Sequence, residues 1–282
     1  MPIATAPEAP AVDDEAQNGS RAFYRRVMSR LEEAGVPFLV GGAYALFHFT
    51  SIERNTKDFD VFVRREDLER AMATLEGEGC HTELTYPHWL GKAHCGDDFV
   101  DIIFSSGNAV ASVDDEWFAH APYGEVLGRR VKLSPAEEMI WSKAFIMERE
   151  RFDGADVHHL LLRCGACLDW PRLLRRFGVH WRVLLAHLVT FGFVYPAQRT
   201  AIPAWVMDHL LNGVQRELGS APRTSARVCF GPLLSRAQYL MDLEHWGYDD
   251  ARLGPKGCMS DDEVAQWTAA AIEAQAKQNA QR

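Results

Sequence analysis

The sequence predicts an α+β fold, with an α/β N-terminal half followed by a helical C-terminal half. Up to residue 133, short apolar segments bounded by Gly and Pro alternate with segments of helical periodicity. From Ser134 onwards the periodicity is mainly helical. We therefore divide the chain into a disordered tail over residues 1–19, an α/β domain over residues 20–133 and a helical domain over residues 134–282.

The α/β half begins with a helix and two strand–helix pairs. Ser20 can cap a helix in which apolar residues recur every three or four positions. "PFLVGG" then predicts a short buried strand and "AYALFHF" a helix, which places Gly41 and Gly42 at a strand-to-helix turn. "FDVFV" predicts the next strand, and "REDLERAMATLEGEG" predicts a charged amphipathic helix after it.

The rest of the α/β half is predicted to be extended. "HTELTYP", "HWLGKAH" and "DFVDIIFS" are separated by Pro and Gly, which is typical of a meander. "YGEVLGRRVKLS" predicts one more hairpin. The helical half opens with a capping box formed by Ser134 and Glu137, and Ser260 and Glu263 form another before the terminal helix.

Composition and charge restrict the class of protein. The formal net charge of −9 argues against bulk nucleic-acid binding, which draws on a basic face. The N-terminal tail has neither the cationic start nor the apolar core of a signal peptide. The longest apolar run, "VLLAHLVTFGFVY", is too short to span a bilayer and is interrupted by His187 and Thr190. We expect a cytoplasmic protein with no membrane partner.

The six cysteines do not resemble a disulfide framework, and we expect reduced thiols. Cys164 and Cys167 have the spacing of zinc ligands, and His158 and His159 precede them. A structural zinc site needs four ligands, and no second closely spaced pair follows. We favour small apolar residues near a helix end and keep a zinc-dependent protein as an alternative class.

Three aspartates carry the functional prediction. Asp58 and Asp60 lie two positions apart in a predicted strand, so their carboxylates share one face and repel each other. A divalent cation, Mg²⁺ or Mn²⁺, would relieve this repulsion, and substrate phosphates usually complete the coordination of Mg²⁺. Asp101 lies inside another apolar strand, where an acid is costly unless it is paired or binds a metal.

Each of these signals has an ordinary explanation when it is taken alone. A D-x-D pair is more often two solvated acids on an outward face, and a Gly-Gly turn is usually only a turn. Their order along the chain is more specific. A strand, the Gly41–Gly42 turn and a helix precede the "RNTKDFD" segment, and Asp101 follows in a later strand.

This order of motifs resembles the nucleotidyltransferase superfamily of DNA polymerase β and kanamycin nucleotidyltransferase. The R-x-T-x-D-x-D form is similar to the branch that contains the abortive-infection toxin-type enzymes and uncharacterised bacterial nucleotidyltransferases. The resemblance covers residues 36–160. It implies a mixed sheet flanked by helices, followed by a variable helical domain.

The resemblance also implies roles for individual residues. Asp58, Asp60 and Asp101 would bind metal, and Asp101 would help to deprotonate the acceptor. The nucleotide-binding residues it implies are Gly41, Gly42, Arg54, Thr56, Lys143 and Asp153. The alternatives are a loop cation for Arg54, a solvated helix residue for Lys143 and a helix cap for Asp153. Many relatives place a serine after the first glycine, whereas here the turn has no hydroxyl nearby.

The predicted reaction moves a nucleoside monophosphate from a nucleoside triphosphate to an acceptor hydroxyl. A cationic aminoglycoside would suit the acidic chain. A tRNA end or a protein acceptor would need a basic strip, which four arginines could supply unless they form the solvated face of a helix: Arg172, Arg175, Arg176 and Arg182. The alternative function is a catalytically inactive nucleotide-binding scaffold or a toxin–antitoxin component.

Overall fold

The structure is a computed structural model that describes residues 14–54, 56, 58–219 and 226–280. The first helix begins at Asp14, ahead of the predicted cap at Ser20, so residues 14–19 are helical where the sequence predicted a disordered tail. Ser20 instead donates a hydrogen bond from Oγ to Asp98 Oδ1 over 2.5 Å. The remainder of the predicted tail, residues 1–13, lies outside the described residues.

The strands and helices follow each other along the chain in an order close to the predicted one. The strands are β1 Leu39–Val40, β2 Asp60–Phe62, β3 His81–Tyr86, β4 Leu90–Cys95, β5 Asp98–Ile103, β6 Tyr123–Val126, β7 Arg129–Lys132, β8 Val228–Cys229 and β9 Asp249–Asp250. The helices are α1 Asp14–Glu33, α2 Gly42–Thr50, α3 Leu68–Glu76, α4 Asp115–Ala119, α5 Ala136–Ala144, α6 Gly154–Cys164, α7 Trp170–Phe177, α8 Trp181–Val194, α9 Ala204–Leu218, α10 Leu240–Glu244 and α11 Asp261–Ala280.

A five-stranded mixed sheet organises the N-terminal half, which confirms the α+β prediction. Its strand order is β1-β2-β5-β4-β3. Strands β3, β4 and β5 form the predicted antiparallel meander, and β6 and β7 form the predicted hairpin. Strand β2 pairs in parallel with β5, while β1 pairs antiparallel with β2. The parallel pair lies in the middle of the sheet, which is where the three aspartates converge.

Helix α1 covers one face of this sheet with the apolar stripe that its periodicity predicted. Met28 and Leu31 are fully buried there, and the ring of Tyr24 stacks on Phe59 with centroids 4.6 Å apart. Each such side chain contributes about 1.5–3 kcal/mol by leaving water. This packing holds the segment that leads into β2.

One of the two predicted capping boxes forms and the other does not. Ser260 N donates to Glu263 Oε2 over 2.8 Å, and Glu263 N donates to Ser260 Oγ over 3.3 Å, which confirms the box before α11. The box predicted at Ser134 is absent, because α5 begins after Pro135 with no side-chain cap. The side chain of Glu137 makes a tertiary contact instead of a capping bond, because its Oε1 accepts a hydrogen bond from Asp169 N over 2.7 Å.

The four arginines that could have supplied a basic strip do not form one, and only two of them lie on a solvated helix face. Arg172 is 3% exposed and forms ion pairs with Glu137 and Glu138, and Glu138 is itself fully buried. Arg176 is largely buried and bonds to Glu138 and Asp114. Only the other two arginines of the set, Arg175 and Arg182, are exposed. These buried pairs tie α7 to α5.

The cysteines depart from the expectation of six reduced thiols, because Cys80 and Cys95 form a disulfide. The β3–β4 register pairs His81 with His94, so the residues just outside that pair face each other at a Cα–Cα distance of 4.5 Å. Cys164 and Cys167 are free thiols, and burial raises the pKa of Cys164 to about 11. Among the described residues, no group of three His, Cys, Asp or Glu is arranged to hold a metal.

The run Trp170–Val194 is long and apolar enough to meet the length and composition criteria for a membrane span. It consists of two helices, α7 and α8, joined by the 3₁₀ turn Gly178–His180. Helix α8 alone, at 14 residues, reaches about 21 Å, which is shorter than the hydrocarbon core of a bilayer. Helix α7 carries the buried ion pairs of Arg172 and Arg176.

Arg172 provides a test of the buried ion pairs. Arg172→Met is expected to lower the free energy of unfolding by about 3 kcal/mol, because it removes the two shorter hydrogen bonds to the buried Glu138 carboxylate and leaves it the 3.2 Å contact with Arg176. Urea denaturation measures the change. The matched control is Arg175→Met on the same helix, which removes an exposed arginine and should change stability by about 0.5 kcal/mol or less. Equal effects of the two substitutions would contradict the proposed contribution of the pair.

Candidate functional site

A cavity of about 310 Å³ lies between the sheet, helix α5 and a segment of the C-terminal half. Asp58, Asp60 and Asp101 all line it. The other side chains that contribute to its wall are, in chain order, Gly42, Phe62, Trp89, Ile103, Ser105, Ser106, Gly107, Asn108, Met139, Ser142, Lys143, Phe145, Ile146, Glu148, Arg151, Pro232, Leu233, Leu234, Arg236 and Trp267. The three predicted acids therefore meet at one hollow.

The sheet register brings the acids together. Asp60 and Asp101 are direct partners in the parallel β2–β5 pair, so their side chains project from the same face. Asp58 lies just before β2 and is exposed, whereas the sequence placed it inside the strand. The chain is extended enough over these residues for Asp58 to reach the same cavity as Asp60.

Electrostatics in the cavity reflect this crowding. Burial raises the pKa of Asp60 to about 6, and the charges of Asp101 and Asp58 add to the shift. Lys143 and Arg151 oppose it. The protein thus holds acids in a place where their charged form is unfavourable without further positive charge.

Lys92 partly neutralises the third acid. It is the cross-strand partner of Asp101 in the β4–β5 pair, and its Nζ forms a short ion pair with Asp101 Oδ1. Burial still raises the pKa of Asp101, although Lys92 acts to lower it. Lys92 is absent from the predicted site, since finding it requires the register of β4 against β5.

Gly42 allows the acids to lie against the strand-to-helix turn. Its backbone has φ +53°, a conformation that L side chains rarely adopt. A Cβ placed on Gly42 would overlap the Asp60 carboxylate. The glycine is therefore needed both for the turn and for the close approach of Asp60.

Gly41, unlike Gly42, does not line the cavity. Its N–H donates to Asp60 O over 3.0 Å, so this amide belongs to the sheet and is not free for a ligand. The sequence suggested that no hydroxyl is near the turn, but Ser134 Oγ would lie 3.1 Å from a Cβ on Gly41. Ser134 is fully buried and does not line the cavity, so it does not replace the serine of the related motif.

A cationic cluster flanks the acids on the side of α5 and α6. Lys143 Nζ lies 2.9 Å from Asp153 Oδ2 and 2.8 Å from Asp156 Oδ2. Arg151 forms two hydrogen bonds of 2.9 Å with Asp153. Burial acts to raise the pKa of Asp153, but the bonds and charges of Arg151 and Lys143 prevail and lower it. Lys143 is thus neither a solvated helix residue nor an isolated cation.

The other predicted nucleotide-binding residues have local roles. Arg54 binds Asp156 through both terminal nitrogens, one of them over 3.0 Å. Thr56 Oγ1 accepts a hydrogen bond from Asp58 N over 3.0 Å and so shapes the turn before β2. Asp153 occupies the N-cap position of α6, but its side chain makes no capping bond. Lys143 lines the cavity, whereas Arg54, Thr56 and Asp153 lie outside its wall.

The donor set suits a hard divalent cation. Carboxylate oxygens are the ligands that Mg²⁺ prefers, and Mg²⁺ often takes only one or two of them together with phosphate oxygens. Asp58 and Asp60 satisfy this requirement. Asp101, the third acid, is engaged by Lys92.

The opposite side of the cavity is aromatic. Trp267 of α11 packs edge-on against Trp89, with centroids 5.2 Å apart. Arg236 lies over the Trp267 ring at 4.0 Å and bonds through Nε to Glu148 over 2.6 Å. The stretch over residues 227–250 is rich in aromatic and polar residues. Leu233 and Arg236 of that stretch line the cavity, whereas Trp246 is exposed.

No family model matches the chain, and no curated protein matches it. Solved structures do resemble it. The solution structure of antibiotic-resistance factor ANT(2'')-Ia is 19% identical with a TM-score of 0.42, over 60% of this chain and 97% of that one. The lincomycin-bound lincosamide antibiotic adenylyltransferase LnuA is 15% identical with a TM-score of 0.36, over 50% and 94%.

An antigenic nucleotidyltransferase-like protein from Paracoccidioides brasiliensis is 14% identical with a TM-score of 0.38, over 69% of this chain and 96% of that one. All three TM-scores lie below 0.5, so the candidate function of this chain rests on the geometry of its own site.

The close approach of Gly42 to Asp60 can be tested by comparison with a second glycine that also has a positive φ. Gly42→Ala should lower the free energy of unfolding by about 1 kcal/mol through its positive φ, and by a further 1–3 kcal/mol because Cβ displaces the Asp60 carboxylate. The control is Gly35→Ala, where φ is +65° and no atom lies within 4 Å of the added Cβ. Chemical denaturation compares the two, and similar losses would show that the close approach is unimportant.

The raised pKa of Asp60 predicts a pH-dependent cost. Below about pH 4 the carboxyl is protonated in both states, and between pH 4 and 6 only the unfolded state loses its proton, so folding becomes less favourable. Above pH 6 the cost is constant. Asp60→Asn should therefore stabilise the metal-free protein at pH 7, by on the order of 1–3 kcal/mol, with little effect at pH 3.5. Denaturation at both pH values, with exposed Asp208→Asn as control, tests this expectation.

Proposed function

We propose that the protein is a metal-dependent nucleotidyltransferase that moves a nucleoside monophosphate from a nucleoside triphosphate to the hydroxyl of a small molecule. The observation that carries the proposal is the pairing of Asp60 with Asp101 across parallel strands, with Asp58 in the same cavity. Mg²⁺ or Mn²⁺ held by these acids would neutralise charge that develops on the phosphoryl oxygens.

Residues on different sides of the cavity have different roles in the proposed binding of cation and nucleotide. Asp58 and Asp60 hold the cation, and Lys143 and Arg151 attract the phosphates from the side of α5 and α6. The amides at the start of α2, beginning at Gly42, offer hydrogen bonds to the β and γ phosphates, since a helix N-terminus favours anions. Arg54 acts through Asp156, the acid that it shares with Lys143.

In the proposed transfer step, Asp101 lies next to the acceptor hydroxyl. The acceptor oxygen attacks the α-phosphorus, a new P–O bond forms, and the bond to the β-phosphate oxygen breaks as pyrophosphate leaves with the electron pair. The acceptor proton passes to Asp101 Oδ2, because Oδ1 already bonds to Lys92. Burial raises the pKa of Asp101, which strengthens it as a base.

A small-molecule acceptor is favoured over a tRNA end, because Arg172 and Arg176 are buried in ion pairs and supply no basic strip. We retain a cytoplasmic location. The Lys92–Asp101 ion pair favours the second candidate, a nucleotide-binding scaffold without turnover, since Asp101 is partly neutralised already.

Label transfer tests the proposal. Purified protein with Mg²⁺ and each of the four α-labelled nucleoside triphosphates should release pyrophosphate and label an acceptor from a panel of hydroxylated small molecules. Asp58→Asn and Asp60→Asn should reduce transfer at least about a hundredfold, because each removes a charge that positions the cation. Asp208→Asn, an exposed acid on α9, is the matched control.

Binding and turnover separate the two candidates. Mg²⁺-dependent nucleotide binding without release of pyrophosphate for any acceptor would support the scaffold. Failure of all four nucleotides to bind in the presence of Mg²⁺ or Mn²⁺ would refute both candidates.

A further inference from the structure

The aromatic side of the cavity has the composition of a binding surface for a flat, uncharged molecule. Its apolar wall is formed by Trp89, Leu233 and Trp267, and further apolar side chains extend it towards α5. These residues come from the turn between β3 and β4, from the segment before α10 and from α11, so the wall exists only when the chain is folded. Ligand pockets commonly combine such a wall with a few polar groups that fix orientation.

Trp267 is held in place by its neighbours. Trp89 and Tyr86 contact its ring edge-on with centroids 5.2 and 4.8 Å away, and Arg236 covers it at 4.0 Å. Gly107 lies beneath the ring, where a Cβ would come within 2.5 Å of Trp267 Cζ2. An aromatic ring fixed in this way loses little conformational freedom when a ligand packs on it.

The carboxylate on the aromatic side of the cavity is already hydrogen-bonded. Glu148 is the one carboxylate among the described cavity residues other than the three aspartates. It accepts hydrogen bonds from Ser235 Oγ over 2.8 Å and from Arg236 Nε over 2.6 Å. A polyamine sugar needs several unpaired carboxylates to replace its hydration, and this wall offers none.

Arg236 provides the remaining polar feature. Its bonds to the described residues are made by Nε and the backbone N, both to Glu148, which leaves the two terminal nitrogens as donors. A guanidinium beside an aromatic ring suits a carbonyl, nitro or single carboxylate group on a flat ligand.

We propose that this aromatic side is the acceptor subsite, and that the acceptor is an uncharged or singly anionic hydroxyl compound with a flat apolar ring. The inference rests on the proposed function and narrows its acceptor class. This acceptor class differs from the cationic aminoglycoside that the net charge of the chain suggested. Net charge describes the whole surface of the protein, whereas the residues that line the cavity contact the ligand. The ring of the acceptor packs against the apolar wall that Trp89, Leu233 and Trp267 form together, and it directs a hydroxyl towards Asp101 and the α-phosphate.

Three probes of matched chemistry test the acceptor class on the full chain. 4-Nitrophenyl β-D-glucopyranoside has hydroxyls and a flat ring, methyl β-D-glucopyranoside has the hydroxyls alone, and tobramycin is a polycation. Titration calorimetry or ligand-observed NMR should show the nitrophenyl glucoside binding at least about tenfold more tightly than either of the others. Tighter binding of tobramycin, or no binding of the nitrophenyl glucoside at millimolar concentration, would overturn the proposal.

Substitutions locate the subsite. Trp267→Ala should weaken binding of the nitrophenyl glucoside about tenfold and leave Mg²⁺–nucleotide affinity unchanged. Trp267→Phe should retain most of the affinity, and Gly107→Ala should reduce it by displacing the ring without removing it. Trp205→Ala, a half-exposed tryptophan of α9, is the control. Circular dichroism checks that each variant is folded.

The outcomes separate this inference from the function on which it rests. Loss of nucleotide affinity in Trp267→Ala would assign the aromatic wall to the nucleotide base and overturn the acceptor subsite. Ring-dependent glucoside binding by a protein that binds no nucleotide would leave the subsite intact as a binding site and refute nucleotidyl transfer instead.

Discussion

The parallel pairing of β2 with β5 is the constraint on which the site depends. It sets Asp60 beside Asp101 on one face of the sheet, and Asp58 reaches the same hollow from the turn before β2. Carboxylates at this spacing in a partly dehydrated cavity repel one another, so the fold pays for them with stability that comes from elsewhere. The buried apolar face of α1 contributes to that stability.

Positive charge is arranged around the acids in a graded way. Lys92 reaches Asp101 from the neighbouring strand, and Lys143 and Arg151 lie on the other side, where they are shared with Asp153. None of these cations bonds directly to Asp60 among the described contacts, and its pKa is the one raised to about 6. The Asp60 carboxylate therefore has no bonded cation among the described contacts. A divalent cation would stabilise its charged form most effectively at this position.

The C-terminal half completes the cavity as well as buttressing the sheet. Helix α11 returns to the meander, where Gln266 Nε2 donates to Thr85 O over 3.1 Å, and the same helix delivers Trp267 to the cavity. Arg236 and Glu148 connect this region to the segment after α5. The charged side of the cavity thus comes from the sheet and α5, while the aromatic side combines Trp89 of the β3–β4 turn with Leu233 and Trp267 from distant parts of the chain.

The sequence by itself determined the elements and the three acids. Periodicity and glycine placement are local properties, so they located the strands of the meander, the turn at Gly42 and the carboxylates of the β2 and β5 region. Tertiary structure alone decided which side chains face each other. Lys92 is a partner of Asp101 only through strand register, Arg172 is buried only because α7 packs on α5, and Trp267 reaches the cavity only because α11 folds back. Such contacts join residues far apart in the chain, and no local pattern encodes their distance.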